Sequence, residues 1–264
     1  MDRVTQNPGV RSMANVATNS GESRLSLQEA RWEWTIVEAD SAQDPQAIQK
    51  LLPAWRGGQI KGTLAADLKN TQLDCDPTFT AEDWEARDVW YRVHFPITDS
   101  GEFQQSSLIL EGLATIADLW LNDCHILHSE NMFVSHEVDV SALLRDDNCL
   151  YMRFNALEPL LKRKKPRPKW RTAFANRKNL NWFRTSLLGR LSTWSRPPPI
   201  IGAWLPASII RRDILIIEDA EFQTTVMGTR GLVSLRLQIK LLGQRRLQNI
   251  LLQVGKTSVT LTME

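Results

Sequence analysis

Short strand-like runs separated by turn residues are the feature that most constrains the fold of this chain. Between residues 25 and 157, apolar and polar residues alternate over short stretches that end at Gly, Asp or Asn. In VWYRVHFPI (89–97), for example, Val89, Tyr91 and Val93 are predicted to face the same side of a strand. Repeated short strands of this kind indicate an all-β fold, an antiparallel β-sandwich.

The same pattern locates further strands and one helix. Strands are predicted at 31–39, 89–97, 106–113, 114–123, 125–129, 135–144 and 149–157. The runs 106–113 and 114–123 are expected to form a pair joined through Gly112. The segment DPQAIQKLL (44–52) predicts a short helix with Asp44 as its N-cap.

The two ends of the chain differ from this central part. Residues 1–24 are polar, lack the apolar segment of a secretory signal, and are predicted to be disordered. Residues 25–216 form the predicted first sandwich. Residues 217–264 contain three further strand-like runs, at 231–242, 249–254 and 257–264. They predict a partial immunoglobulin-like sandwich because a full one needs about seven strands. Strands that lack partners are templates for association, so we expect self-association through 231–264.

Cysteine and histidine spacing indicates a reduced protein without a metal centre. Cys75, Cys124 and Cys149 have neither disulfide-framework nor zinc-ligand spacing, and no run approaches 18 apolar residues. We therefore predict a cytoplasmic protein that does not enter a membrane. His125 and His128 are three positions apart, and on a regular strand they do not share a face. We expect structural or surface histidines, no metal site and no cofactor.

A long basic segment interrupts the strand pattern. Between Glu158 and Asp213 the chain has fourteen Lys and Arg residues and no acidic residue. We interpret 158–200 as a long functional loop with a possible helix near 171–188. Its cationic run is a possible polyanion contact formed by Lys162, Arg163, Lys164, Lys165, Arg167, Lys169 and Arg171. Nucleic acid is not the main partner that we expect, because the net charge is only +2 and no nucleic-acid-binding fold pattern accompanies the run.

Catalytic residues are not expected in this chain. Glycosidases use a pair of carboxylates, one as acid and one as nucleophile or base. Glu111, Glu130, Glu137 and Asp139 are available, but their pattern does not form such a constellation. Asp139 is expected to cap a turn, and Glu137 to lie on an exposed strand face.

Several segments, taken in order, resemble one enzyme family. The matching segments are IKGTLAADL (60–68), DVWYRVHF (88–95), LEGLATIADLWLND (110–123), SENMFVSHEVDVSALL (129–144) and GAWLPASI (202–209). They resemble the N-terminal region of glycoside hydrolase family 2, most closely its β-mannosidase branch. The resemblance covers roughly residues 30–215 and extends more loosely into the second sandwich.

The resemblance implies a fold and a function. Members of this family begin with a jelly-roll-like, galactose-binding-like sandwich, continue through an immunoglobulin-like domain, and then enter a (β/α)8 barrel that carries both catalytic glutamates. Residues 25–216 correspond to the first of these domains. The resemblance therefore implies a non-catalytic part of a glycosidase, with the barrel as intramolecular partner and a β-linked saccharide as the ligand of the whole enzyme. A free-standing carbohydrate-binding module is the alternative, followed by a polyanion-binding protein.

The resemblance also implies two substrate-binding residues. β-Mannosidases carry Gly-Trp-Asp-Trp-Gly-Pro before the Gly-x-Trp strand, and their Asp holds the sugar. Here Trp194 falls on the second Trp of that motif, whereas Thr193 replaces the Asp. Arg184 falls on the Arg that opens the preceding segment. Arg184 and Trp194 are thus the expected sugar contacts, while the mannose-holding carboxylate is absent.

Overall fold

A computed structural model of the chain describes residues 22–58, 62–69, 80–98, 101, 103–166, 177–191, 198–243, 249–254 and 257–262. The strands are β1 Glu22–Ser26, β2 Arg31–Glu38, β3 Arg56–Gly57, β4 Arg87–Pro96, β5 Gln105–Leu110, β6 Ala117–Leu121, β7 Cys124–Ser129, β8 His136–Asp139, β9 Asp147–Phe154, β10 Ala207–Arg212, β11 Leu215–Met227, β12 Arg230–Leu241, β13 Asn249–Val254 and β14 Thr257–Thr262. The helices are α1 Pro45–Lys50, α2 Leu64–Leu68, α3 Ala81–Glu85 and α4 Glu158–Lys162. In the described ranges, every helix is too short or too polar to cross a bilayer.

Two antiparallel sheets form the first part of the chain. One sheet has the order β3-β2-β4-β9-β6-β7 and the other has the order β1-β10-β5-β8. A buried apolar cluster combines residues of both sheets, including Tyr91 of β4, Met152 of β9, Leu108 of β5 and Ile209 of β10. The core therefore lies between the sheets, as the predicted antiparallel sandwich requires.

Strand β4 is apolar on both faces for two different reasons. Val89, Tyr91 and Val93 are fully buried in the core between the sheets, which confirms the predicted alternation. Trp90 points away from that core, where it packs with Trp120 and other side chains in a second buried cluster. That cluster includes Ile48 of α1, so the helix covers the outer face of the six-stranded sheet.

The predicted pairing of 106–113 with 114–123 is wrong. Strand β5 belongs to the four-stranded sheet, between β10 and β8, whereas β6 belongs to the six-stranded sheet, between β9 and β7. The chain crosses from one sheet to the other between them, and each strand is rich in apolar residues because most of its positions are buried. Gly112 has a packing role, since a Cβ there would lie 2.5 Å from Nε1 of Trp204.

One of the two helix predictions is confirmed, and the other helix is not found in the residues that the structure describes. The helix at 44–52 is confirmed as α1, and its first turn is capped by a hydrogen bond from the Ala47 N–H to the Asp44 side chain at 2.7 Å. In the described part of 171–188 the chain forms only a 3-10 turn at Leu180–Trp182. Asn179, which precedes that turn, has φ of 63°, a left-handed conformation that interrupts a right-handed helix.

Two strands extend across the predicted domain bounds. Strand β1 begins at Glu22, three residues before the predicted start of the sandwich, and pairs with β10. Residues 1–21 lie outside the described residues. Strand β11 begins at Leu215, so the predicted boundary between 216 and 217 falls within this strand.

The last part of the chain contains two hairpins. β11 pairs with β12, and β13 pairs with β14, which confirms strands in the three predicted runs. Much of the apolar surface of these hairpins is exposed: Val226 is 78% accessible and Leu251 is 64% accessible. The hairpins therefore present apolar side chains rather than burying them in a closed core.

Candidate functional site

Three of the family-like segments meet at Gly202. The Ala114 N–H donates to the Gly202 carbonyl at 2.9 Å, and the Gly202 N–H donates back to the Ala114 carbonyl at 3.1 Å. Thr63 forms a second bridge with Gly202. Gly202 has φ of +126°, and a Cβ there would lie only 2.0 Å from the carbonyl oxygen of Gly62. Only glycine allows this approach of three main chains.

Trp204 connects this junction to the turn at 131–134. Its indole N–H donates to the carbonyl oxygen of Met132 at 2.8 Å, and its ring meets the Phe133 ring edge to face with centroids 6.3 Å apart. The Phe133 N–H donates to the side chain of Asn131 at 3.0 Å, which closes the turn. Met132 is buried, whereas Phe133 is 59% exposed.

Arg184 is held against the same turn through its main chain. The Met132 N–H donates to the Arg184 carbonyl at 3.1 Å, and the Ser186 N–H lies 3.0 Å from the sulfur of Met132. The hydroxyl of Thr185 hydrogen-bonds that of Thr115. The Arg184 side chain remains exposed. The structure thus places this predicted sugar contact beside the turn at 131–134, while Trp194 lies outside the described residues.

Large apolar side chains are exposed around Arg184. We call the set the apolar face: Phe133, Val134, Trp182, Leu187 and Leu188, between 43% and 59% accessible. All five belong either to the turn at 131–134 or to the segment 177–191, which contact each other as described above. Exposed apolar groups concentrated in this way mark interaction surfaces.

The basic run begins next to this segment. Lys162, Arg163, Lys164 and Lys165 are exposed, as expected of a cationic surface. The Asn179 amide donates to the carbonyls of Leu161 and Arg163, both at 2.7 Å, and Lys165 lies 5.9 Å from the centre of the Trp182 ring. The remaining predicted members of the run, Arg167, Lys169 and Arg171, lie outside the described residues.

Two arginines of segment 177–191 form a buried ionic network that sequence reasoning missed. Arg190 Nε donates to Glu85 Oε1 at 2.6 Å, and Arg177 Nη2 lies 2.6 Å from Glu85 Oε2 and 2.7 Å from Glu158. Arg177 also lies 3.0 Å from the more exposed Glu82. Burial lowers the pKa of Arg190, and the Glu85 carboxylate opposes that change. The sequence feature that could have indicated this network is the absence of acidic residues in 159–212. A cation of that range that is buried must find its carboxylate partner in another part of the chain.

The carboxylates considered for catalysis have structural partners. Glu111 pairs with Arg24 at 3.2 Å, and Glu137 pairs with Arg212 at 2.6 Å. Asp139 accepts from the N–H of Ser141 at 3.0 Å, so it closes a turn as predicted. Glu111, Glu137 and Asp139 thus make structural contacts within the sandwich.

The histidine geometry differs from the expectation. A register shift between Leu119 and Trp120 marks a bulge in the β6–β7 pair, and both His125 and His128 face Asp118. Their nitrogens lie 3.5 Å and 2.6 Å from Asp118 Oδ1. The expectation assumed a regular strand, and the bulge removes that regularity. Hydrogen bonding to Asp118 raises the pKa of His128. Among the residues that the structure describes, no group of three or more His, Cys, Asp or Glu side chains is arranged to hold a metal.

Comparison with known proteins identifies relatives of this fold. Rat β-mannosidase is 28% identical over 132 residues, which are 48% of this chain and 14% of that protein. β-Mannosidase B of Thermothelomyces thermophilus is 29% identical over 129 residues, 47% of this chain and 14% of that protein. The chain therefore spans about one seventh of the length of these relatives.

Solved structures show the same fold. The β-D-mannosidase of Dictyoglomus thermophilum matches with a TM-score of 0.64 and 21% identity, over 83% of this chain and 26% of that chain. A Ruminococcus gnavus β-glucuronidase matches with a TM-score of 0.53 and 16% identity, over 84% of this chain and 33% of that chain. The family model described as glycosyl hydrolase 2 galactose-binding domain-like matches residues 34–204. The chain belongs to this family.

Proposed function

We propose that this chain is the non-catalytic N-terminal part of a β-mannosidase-like glycoside hydrolase that hydrolyses terminal β-glycosides. The family match over 34–204, together with relatives named β-mannosidase, carries the proposal. The covered share of those relatives, about one seventh of their length, corresponds to one domain of a larger enzyme. The chain would then contribute binding and positioning, and the catalytic glutamates would lie in the barrel.

The apolar face supports a position next to the rest of the enzyme. Five large apolar side chains are exposed there, and burial of such surface is worth about 25 cal/mol per Å². We propose that the barrel covers this face. The basic run Lys162–Lys165 would lie at its edge, facing acidic groups of the barrel or solvent.

Arg184 is the proposed sugar contact within the described residues. Its main chain is fixed by Met132, and its guanidinium is exposed and presents several N–H donors to sugar hydroxyls. Trp194 is the second proposed contact, since an indole ring stacks on the apolar face of a pyranose. The parent's substrate is a β-linked saccharide in this proposal.

An activity assay tests the proposal directly. The purified chain is incubated with aryl β-mannoside and aryl β-glucoside, and release of the phenol is followed. The expected result is no turnover, because the catalytic glutamates are in the barrel. Turnover by the pure chain would refute a non-catalytic role.

A binding assay separates this proposal from the alternatives. Oligosaccharides are titrated into the chain while tryptophan fluorescence is followed, with Trp194→Ala as the test variant. A saturable change that is lost in the variant would favour a free-standing carbohydrate-binding module. Retention on heparin that falls steeply with salt, and that is lost when Lys162–Lys165 are replaced by Gln, would favour a polyanion-binding protein.

A further inference from the structure

Both ends of segment 177–190 are bound to a single carboxylate. Glu85 of α3 accepts from Arg177 through one oxygen and from Arg190 through the other, at 2.6 Å in each case. The three side chains are 1%, 8% and 2% exposed, in the order Glu85, Arg177, Arg190. The segment between Arg177 and Arg190 contains Arg184, and both of its ends lie at the Glu85 carboxylate.

Stability alone does not explain so deeply buried a network. Removing charges from water is costly, and a buried ion pair is often no more stabilising than apolar residues of the same volume. A buried pair does specify which groups must meet, because any other arrangement leaves an uncompensated charge. Local sequence does not supply a partner for these arginines, since 159–212 has no acidic residue.

We propose that Glu85 is a positioning residue that clamps the two ends of segment 177–190 and thereby fixes Arg184 and the apolar face. The Arg190 guanidinium also donates to the carbonyl of Ser186, which ties the clamp to the middle of the segment. The far side of the segment is held by the turn at 131–134, through the Met132 N–H and the Arg184 carbonyl.

The clamp has a consequence for docking on the barrel, and this consequence rests on the proposed function. If the apolar face meets the barrel, a pre-positioned segment loses less conformational entropy on docking than a mobile loop would. The clamp itself is a property of this chain alone. An experiment on the chain without sugar or partner therefore tests the clamp separately from the proposed function.

Hydrogen exchange on Glu85→Gln provides that experiment. The variant keeps the shape of the side chain and leaves Arg190 without its carboxylate partner, whereas Arg177 keeps Glu158 and Glu82. We expect amides of the segment, such as Phe183 and Arg190, to exchange about a hundredfold faster, because breaking a buried pair releases the local structure it holds. Amides of the β4–β9 pair should keep their exchange rates.

Glu82→Gln is the matched control. Glu82 is on the same helix and pairs with Arg177, but its side chain is 49% exposed. Arg177 keeps Glu85 and Glu158 in this control, and an ion pair with a half-exposed carboxylate contributes little, so exchange should stay within about threefold of the wild type.

A second pair of variants keeps the test decisive if Glu85→Gln folds poorly. Arg190 lies on the segment, outside both sheets, and Arg190→Gln should accelerate exchange in the same amides. The double variant Glu85→Gln/Arg190→Gln removes the Arg190 charge that Glu85→Gln leaves uncompensated, and it should restore part of the protection lost in Glu85→Gln. Unchanged exchange in the segment, equal acceleration across β4 and the segment, or strictly additive losses would each overturn the clamp.

Discussion

Replacement of Trp120 tests the second apolar cluster, which covers the outer face of the six-stranded sheet. Trp120 is 6% exposed, its ring stacks on Trp90 with centroids 5.5 Å apart and an interplanar angle of 17°, and His125 meets its edge. Trp120→Ala removes this ring and leaves Trp90 and Tyr151 facing a void.

The expected loss follows from the buried area. A buried Trp side chain removes about 150–250 Å² from water, which corresponds to roughly 4–6 kcal/mol at 25 cal/mol per Å². That area is an upper limit because the unfolded chain is partly compact, and a methyl group remains. We therefore expect Trp120→Ala to lower the free energy of unfolding by about 3–5 kcal/mol.

Thermal unfolding followed by near-ultraviolet circular dichroism measures the effect. For a sandwich of this size, about 3–5 kcal/mol corresponds to a fall in Tm of about 6–20 °C. Trp182→Ala is the control, because Trp182 is 49% exposed and its loss should lower Tm by less than about 3 °C. An unchanged Tm for Trp120→Ala would show that the cluster does not contribute to stability as argued.

Three further outcomes are expected. Gly202→Ala should destabilise the sandwich by about 2 kcal/mol or more, because its Cβ would clash with a neighbouring carbonyl, whereas Gly231→Ala, with open space around it, should stay within about 0.5 kcal/mol in urea unfolding. Hydrogen bonding to Asp118 raises the pKa of His128, so this pair's stabilisation is present below the unfolded pKa of about 6.5 and is lost as pH rises through the folded pKa. Urea denaturation should therefore show a difference in the free energy of unfolding between wild type and His128→Asn of at most about 1 kcal/mol below that window, and the difference should shrink as pH rises through it. Residues 231–264 should drive self-association and exchange quickly, and a monomer on sizing chromatography with strong protection across this range would contradict that.

Alternation in the sequence predicted the faces of strands but not their neighbours. The period of two shows that Tyr91 and Val93 share a side, and the structure agrees. The period of two does not show whether β5 pairs with β6, because both runs fit the pattern whether they lie in one sheet or in two. Pairing depends on contacts between distant segments, such as β1 with β10.

The site was predictable only in part for the same reason. The family-like motifs indicated which segments matter, and the structure brings Ala114, Met132 and Trp204 together around Gly202. The Glu85–Arg190 pair joins residues 105 positions apart, and no local pattern reveals that those charges are buried. The bulge beside Trp120 could not be predicted from the sequence either, because it adds one residue without an obvious turn signal.

The place of β10 in its sheet has a consequence for biosynthesis. β10 lies between β1 and β5, yet it follows β5 by about a hundred residues, so β5 has an unpaired edge until β10 emerges. At about 5–20 residues per second, translation leaves that edge open for roughly 5–20 s. An open apolar edge of this kind recruits other strands. Nascent chains that stall before Ala207 would therefore be the species most exposed to aggregation and to capture by chaperones.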